Sequence, residues 1–287
     1  MFNQITIIGP GLLGTSLGMA IKAKDLAKKI NVWARRPEVR EACRRTDWCD
    51  ADHSEIPEAV KGSDFVVVCT PVRHIKAVLA KIAKVASSGC VVTDVGSVKG
   101  AISQAADKVF TASKATFVGS HPMAGSEKAG MENASPGLFD ERPCFVTSGK
   151  DISVESLELV SNFWQAIGMS VTITTPNEHD EIVAHLSHLP HALASGLCHL
   201  LGKKSPTWGK LAGQGLRDTT RIASGNPQLW EEIFLLNRES LLLALQSFEE
   251  TCGLLREALH TKNDSEIRSW LNAGKEYRDE LKRPKDT

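Results

Sequence analysis

Several groups of residues in this chain have types and spacings that could do chemistry. The first is Gly9-Pro10-Gly11-Leu12-Leu13-Gly14, which follows the apolar run Ile5-Thr6-Ile7-Ile8 and opens a helical stretch over 12–24. A G-x-G-x-x-G turn between strand and helix predicts a dinucleotide site. Gly9 allows the tight turn, Gly11 lets the backbone approach a pyrophosphate, and Gly14 packs helix against strand. The helix N-terminus then offers partial positive charge to the phosphates. The next strand ends in Val32-Trp33-Ala34-Arg35-Arg36, where an acidic residue would bind the ribose hydroxyls of NAD. Arg35 and Arg36 instead suit a 2′-phosphate, which favours NADP. The alternative is NAD bound without an acidic anchor beside two solvated arginines. Thr70 and Pro71, closing the apolar run 65–70, are expected beside the same cofactor.

Further along, Ser97 lies in Asp94-Val95-Gly96-Ser97-Val98-Lys99-Gly100, and His121, Ser126 and Glu127 lie in the small-residue stretch 119–130. Both stretches follow strand candidates, and ligands of a doubly wound sheet bind outside the carboxyl ends of its strands. A histidine at such an end is well placed to meet a nicotinamide, although a lone histidine is more commonly structural. The next group is His179-Asp180, His185, Ser187-His188 and His191, on a predicted helix that Pro190 should kink. With no HExxH pattern and no cysteine nearby, an anion pocket is expected there and a metal is not. Arg217 and Arg221 follow in Gly215-Leu216-Arg217-Asp218-Thr219-Thr220-Arg221. They could clamp a carboxylate or simply be exposed charges.

The elements that position these groups change rhythm along the chain. Strand candidates at 5–9, 30–34, 65–70, 90–95, 116–119, 144–147 and 171–174 alternate with helical stretches. The early strands are apolar on both faces, as parallel strands covered by helices require. This predicts an α/β, doubly wound, Rossmann-like domain over 1–174. From 175 the pattern is helical, opened by Thr175-Pro176-Asn177-Glu178, a capping box with proline at the first helical position. Asn226-Pro227 is read as the cap of one long apolar-striped helix running to Leu255, and Asn263 with Glu266 as the cap of a last helix. The charged tail from residue 282 is expected to fray. So many leucines and aromatics on the 175–287 helices predict a homodimer.

The 287 residues are 42% hydrophobic and 24% charged, with zero formal net charge, which points to a globular chain and to neither a nucleic-acid nor a membrane partner. Seven cysteines without a CxxC pair read as reduced thiols. With no 18-residue apolar run and no room for a leader before Ile5, a cytoplasmic protein is expected.

Taken together, Asp94–Gly100, 119–130, the 178–191 histidine stretch, and Arg217–Arg221 with Asn226-Pro227 and Trp230 resemble the prephenate and arogenate dehydrogenase family of tyrosine biosynthesis. The resemblance implies a Rossmann domain followed by an all-helical dimerisation domain. It also implies oxidative decarboxylation of prephenate or arogenate, with hydride passing to NAD(P). On that resemblance His121 is the general base, oriented by Ser97. Arg221 grips the ring carboxylate and is held by Asp180, while His191, Ser187, His188, Ser126 and Glu127 line the side-chain end of the substrate. Nothing in the chain resembles the regulatory or mutase modules of some relatives, so any inhibition by tyrosine is expected at the active site. Two other readings stay open: a β-hydroxyacid dehydrogenase or imine reductase, which typically relies on a lysine in the helical half, and a dinucleotide sensor without turnover.

Overall fold

The computed structural model describes residues 1–125, 130–149 and 152–281. Ser126, Glu127 and the charged tail from 282 therefore lie outside the described residues. Six strands form a parallel sheet in the order β3-β2-β1-β4-β5-β6. They are β1 (Phe2–Ile8), β2 (Ala27–Trp33), β3 (Ala51–His53), β4 (Phe65–Val68), β5 (Val91–Asp94) and β6 (Thr116–Phe117). The central strands are buried on both faces. Phe65 and Val67 of β4 join Ile5 and Ile7 of β1 in one core, packed with Leu17 and Ile21 of the first helix and Trp164. Val66 and Val68 point the other way, into a second core with Ile75, Leu79 and Ile102. The period-two geometry of a strand explains why a continuous apolar run serves two helical layers at once.

Two features depart from the sequence reading. The strand expected at 116–119 ends at Phe117, and the chain leaves the sheet to begin β7 (Gly119–Pro122) in a second sheet. There β7 pairs antiparallel with β8 (Pro143–Thr147), which pairs parallel with β9 (Ser170–Thr174). Gly119 permits the change, because a Cβ there would sit 2.6 Å from Thr147 Oγ1. Strand β3 was not expected. Ala51-Asp52-His53 has no apolar run, and it is fixed by pairing with β2 and by Asp52, which accepts from Arg44 Nη2 at 3.1 Å.

The helix predicted at Thr175 forms as expected: Thr175 Oγ1 accepts from Glu178 N, capping Pro176–Val183. Near Pro190 the path is a π-helical turn, Ala184–His188, followed by an α-helix, Leu189–Gly202, with the proline in its first turn. A π-turn re-routes carbonyls that a proline cannot satisfy. The single long helix expected from Asn226 is instead two, Pro227–Leu236 and Arg238–His260. The break falls at Asn237, which is buried and donates its Nδ2 to the Asp180 carbonyl (2.8 Å). A side chain committed to another segment competes with helix continuation.

By internal contacts the chain divides into Met1–Asn237 and Arg238–Thr287. Within the second unit, Trp270 Nε1 donates to the Thr251 carbonyl (3.1 Å), and Asn263 caps the helix Asp264–Glu280 by accepting from Glu266 N. Leu242, Leu243, Leu254 and Leu259 of this unit are exposed. Among the described residues no helix is long and apolar enough to cross a membrane.

The third glycine of the turn carries a testable constraint. A Cβ on Gly14 would stand 2.4 Å from the Gly9 carbonyl oxygen, so backbone and not a yielding side chain blocks it. Gly14→Ala is expected to lower stability by about 1–3 kcal/mol through overpacking and to weaken dinucleotide binding in parallel. Thermal unfolding and cofactor titration check both effects.

Candidate active site

Above the carboxyl ends of β1, β2 and β4 lies a groove of about 610 Å³ lined by Gly9, Gly11, Arg35, Arg36, Thr70 and Pro71. Six of the predicted cofactor residues therefore share one surface. The other three support it from behind: Leu12 starts the first helix, Leu13 packs against the core, and Gly14 is buried. Gly9 adopts φ +94°, a left-handed conformation that favours glycine, and nothing lies within 4 Å of a Cβ built on Gly11. Thr70 Oγ1 is buried without a partner, as a group awaiting a ligand would be. Arg36 reaches Glu38 at 3.7 Å on the surface, while Arg35 makes no ion pair among the described residues. The cradle, the orphaned hydroxyl and the basic rim fit a nicotinamide dinucleotide.

His121 lies on β7, opposite Phe145 of β8, and is 8% exposed. Its Nδ1 is 2.9 Å from His179 Nε2, and His179 Nδ1 is 2.8 Å from Asp180 Oδ1. The tautomers follow from the acid at the end of this chain. A carboxylate can only accept, so His179 donates from Nδ1 and leaves its Nε2 as an acceptor. His121 must then donate from Nδ1, which leaves its own Nε2 with a free lone pair. Burial, reinforced by His179, Lys99 and His188, holds His121 well below the ordinary histidine range. Burial likewise lowers His179, against the opposing pull of Asp180. Both rings are neutral at physiological pH, and His121 Nε2 is a proton acceptor of fixed orientation.

Asp180 was expected to hold Arg221. Its carboxylate is instead taken up by the Lys99 N–H (2.7 Å), the Gly100 N–H (2.9 Å) and His179, and no ion pair joins it to Arg221 among the described residues. Gly100 is required here, since a Cβ would come within 2.9 Å of Asp180 Oδ2. Arg221 begins the short 3-10 turn Arg221–Ser224 with an exposed side chain. Ser97 is half-buried in the turn after β5, but no hydrogen bond joins it to His121 among the described residues. The ring nitrogen through which Ser97 could have oriented the base is occupied by His179.

The histidine cluster divides. His185 is exposed and bonds back to the Glu181 carbonyl (2.9 Å), while Ser187 is half-buried beside it. His188 is buried, pairs with Asn237 Nδ2 at 3.1 Å, and is pushed down to about 4, chiefly by burial. His191 stacks on Trp230 with ring centroids 3.6 Å apart, and its Nδ1 is buried without a partner. Gly225 makes room for that stack, because a Cβ there would stand 2.5 Å from Trp230 Nε1. Among the described residues no group of three or more His, Cys, Asp or Glu could hold a metal.

Sequence reasoning assigned no part in the reaction to His179, Lys99 or Asn237. The available signals were faint: a histidine beside an acid, and an asparagine inside an apolar helical stripe. Neither shows its partner until the segments are folded together.

Residues 17–173 match the family model described as prephenate dehydrogenase, nucleotide-binding domain. Residues 175–273 match its dimerization domain. The chain is 30% identical to the cyclohexadienyl dehydrogenase of Zymomonas mobilis, over 92% of this chain and 90% of that protein. It is 30% identical to the prephenate dehydrogenase of Bacillus subtilis, over 98% of this chain and 76% of that one. Its fold superposes with a TM-score of 0.91 on the prephenate dehydrogenase of A. aeolicus solved with hydroxyphenyl propionate and NAD+, at 30% identity, covering 98% and 99% of the two chains. The parallel sheet and dinucleotide cradle agree with a nucleotide-binding domain, the two matched models together span nearly the whole chain, and the chain belongs to the prephenate dehydrogenase family.

Proposed function

We propose that the protein catalyses the oxidative decarboxylation of prephenate or arogenate, giving 4-hydroxyphenylpyruvate or tyrosine, with NADP as the preferred hydride acceptor. The observation that carries this reading is the free Nε2 lone pair of His121, fixed in place by His179 and Asp180. A nicotinamide dinucleotide, when bound, accepts hydride from C4 of the substrate ring. His121 Nε2 accepts the proton of the C4 hydroxyl as the carbonyl forms, and its neutrality near pH 7 suits that task. Departure of the C1 carboxylate as carbon dioxide sends its electron pair through the ring to the C4 oxygen, which takes a proton back from His121 to become the phenol, so the protein need mainly hold geometry and shuttle one proton.

The remaining assignments follow the same chemistry. Arg221 supplies the fixed positive charge that a ring carboxylate requires, and Ser97 bonds the reacting hydroxyl. His191, with its unpartnered Nδ1, Ser187 and His188 form the side-chain end of the pocket, together with Ser126 and Glu127. Residues 1–174 bind the cofactor, and 175–287 supply the substrate wall and pair two copies through the exposed leucines of the Arg238–His260 helix. Arg35 and Arg36 line the groove, and the end of β2 carries no acidic residue for the ribose, which supports NADP. The NAD+ in the A. aeolicus structure favours the second reading, NAD held without an acidic anchor.

Assays of prephenate and arogenate, each with NAD and NADP, test the proposal; turnover in none of the four mixtures would sink it. His121→Asn keeps a side-chain donor toward His179 but removes the basic ring nitrogen, so kcat should fall about 10²-fold or more with cofactor affinity nearly unchanged. In the unaltered enzyme, kcat should be flat through neutral pH and decline only on the acid side of the ordinary histidine value. The reason is that the base is active when neutral, and burial depresses its pKa. Arg221→Ala should raise KM for the substrate, and an unchanged KM removes its assignment. Arg35→Ala with Arg36→Ala should weaken NADP by about 10²-fold and NAD far less, since each lost charge-assisted contact costs about 1.5–3 kcal/mol. Equal losses for both cofactors would leave NAD as the natural one.

A further inference from the structure

Among the described residues Lys99 is the one lysine in the set of largest fully buried side chains, and no step of the reaction uses it. Its Nζ pairs with Asp94 at the end of β5 and donates to the Ser120 carbonyl (2.7 Å), one residue before His121. Its backbone N–H donates to Asp180 Oδ1 (2.7 Å), the oxygen that also takes the His179 proton. Lys99 thus touches the base from both directions, through its strand by the side chain and through the histidine relay by the backbone. Asp94 strengthens the first arm. It accepts from Ser120 N (3.2 Å), while Ser120 Oγ donates to the Asp94 carbonyl (2.6 Å) and receives Trp164 Nε1 (2.9 Å).

We propose that Lys99 is a positioning residue for the His121 base, closing a ring of contacts that runs Lys99, Ser120, His121, His179, Asp180 and back to Lys99. The inference rests on the assignment of His121 as the base. A buried ammonium paired with a carboxylate is weak evidence for stability, because desolvation offsets most of the attraction. Its presence here is better explained by what it does to the ring. An ammonium held inside this cluster opposes a second positive charge on His121 or His179. Among the described residues, the charged and titratable groups around the His121–His179 pair are Lys99 and Asp94 from β5 and its turn, Asp180 from the Pro176–Val183 helix, His188 from the π-turn, and Cys144 on β8. Burial keeps the Cys144 thiol protonated, and Asp94 and Asp180 are already bonded; burial lowers Lys99 against the raising pull of Asp94 beside it, and that ion pair makes Lys99 the cation of the set among the described residues.

The test is Lys99→Met beside the charge-balanced double variant Lys99→Met with Asp94→Asn, which avoids a lone buried carboxylate should the single variant fold poorly. Both should lose about tenfold or more in kcat, with substrate KM and cofactor affinity within about threefold of the parent. In the single variant the acid limb of the kcat profile should move to higher pH, because removal of a neighbouring cation makes His121 easier to protonate, and in the double variant it should move less, because the Asp94 charge is lost as well. A lysine that only supports the fold would scale activity without moving that limb. A double variant that melts like the parent with an unmoved acid limb and unchanged kcat overturns the proposal. His121→Asn separates the two claims: if that variant still turns over, the base assignment itself fails, whatever Lys99 does.

Discussion

The Asp180 carboxylate organises this molecule's active site. Its two oxygens take the first backbone N–H groups of the Gly100–Phe110 helix, and one of them also takes the His179 ring proton. A carboxylate at a helix N-terminus is favoured by both the unsatisfied donors and the helix dipole. The same ion thus docks the segment after residue 175 onto the nucleotide-binding sheet and sets two histidine tautomers in succession. Geometry and protonation state are consequences of one contact. Asn237 extends it by holding the Asp180 backbone carbonyl and His188 together.

Around that contact the protein keeps its charge sparse. His121, His179 and His188 are all lowered by burial, so three of the central rings are neutral where a dianionic substrate is to be received. Apart from the Lys99 ammonium, which is paired with Asp94, the arginines assigned to binding lie at the edges, with Arg35 and Arg36 along the cofactor groove and Arg221 on its short turn. In the proposed reaction a neutral acceptor meets the reacting hydroxyl and fixed cations meet the anionic ends. Proton uptake needs a group that can change charge, whereas anion binding needs one that cannot.

Much of the fold was legible in the chain because it rests on local rules. The G-x-G-x-x-G turn after Ile5-Thr6-Ile7-Ile8, the doubly apolar strands, and the caps at Thr175, Asn226 and Asn263 all appear where their residue types place them. The short strand Ala51–His53 was not legible, since it is created by pairing with β2 and carries no pattern of its own. Nor was the break at Asn237, because the apolar stripe continues on both sides and only a buried partner reveals why the helix stops.

The sequence by itself determined the dinucleotide turn, the parallel sheet and the identity of the groups able to move a proton or hold an anion. These depend on backbone geometry and side-chain chemistry that any residue carries with it. Tertiary structure alone decided which groups meet. It moved His121 from the end of β6 into a second sheet, gave Asp180 to Lys99, Gly100 and His179 instead of Arg221, and placed His179 where Ser97 had been expected to orient the base. Hydrogen-bond partners some 60 or 80 residues apart leave no local trace, so the relay could be read only once the chain had folded.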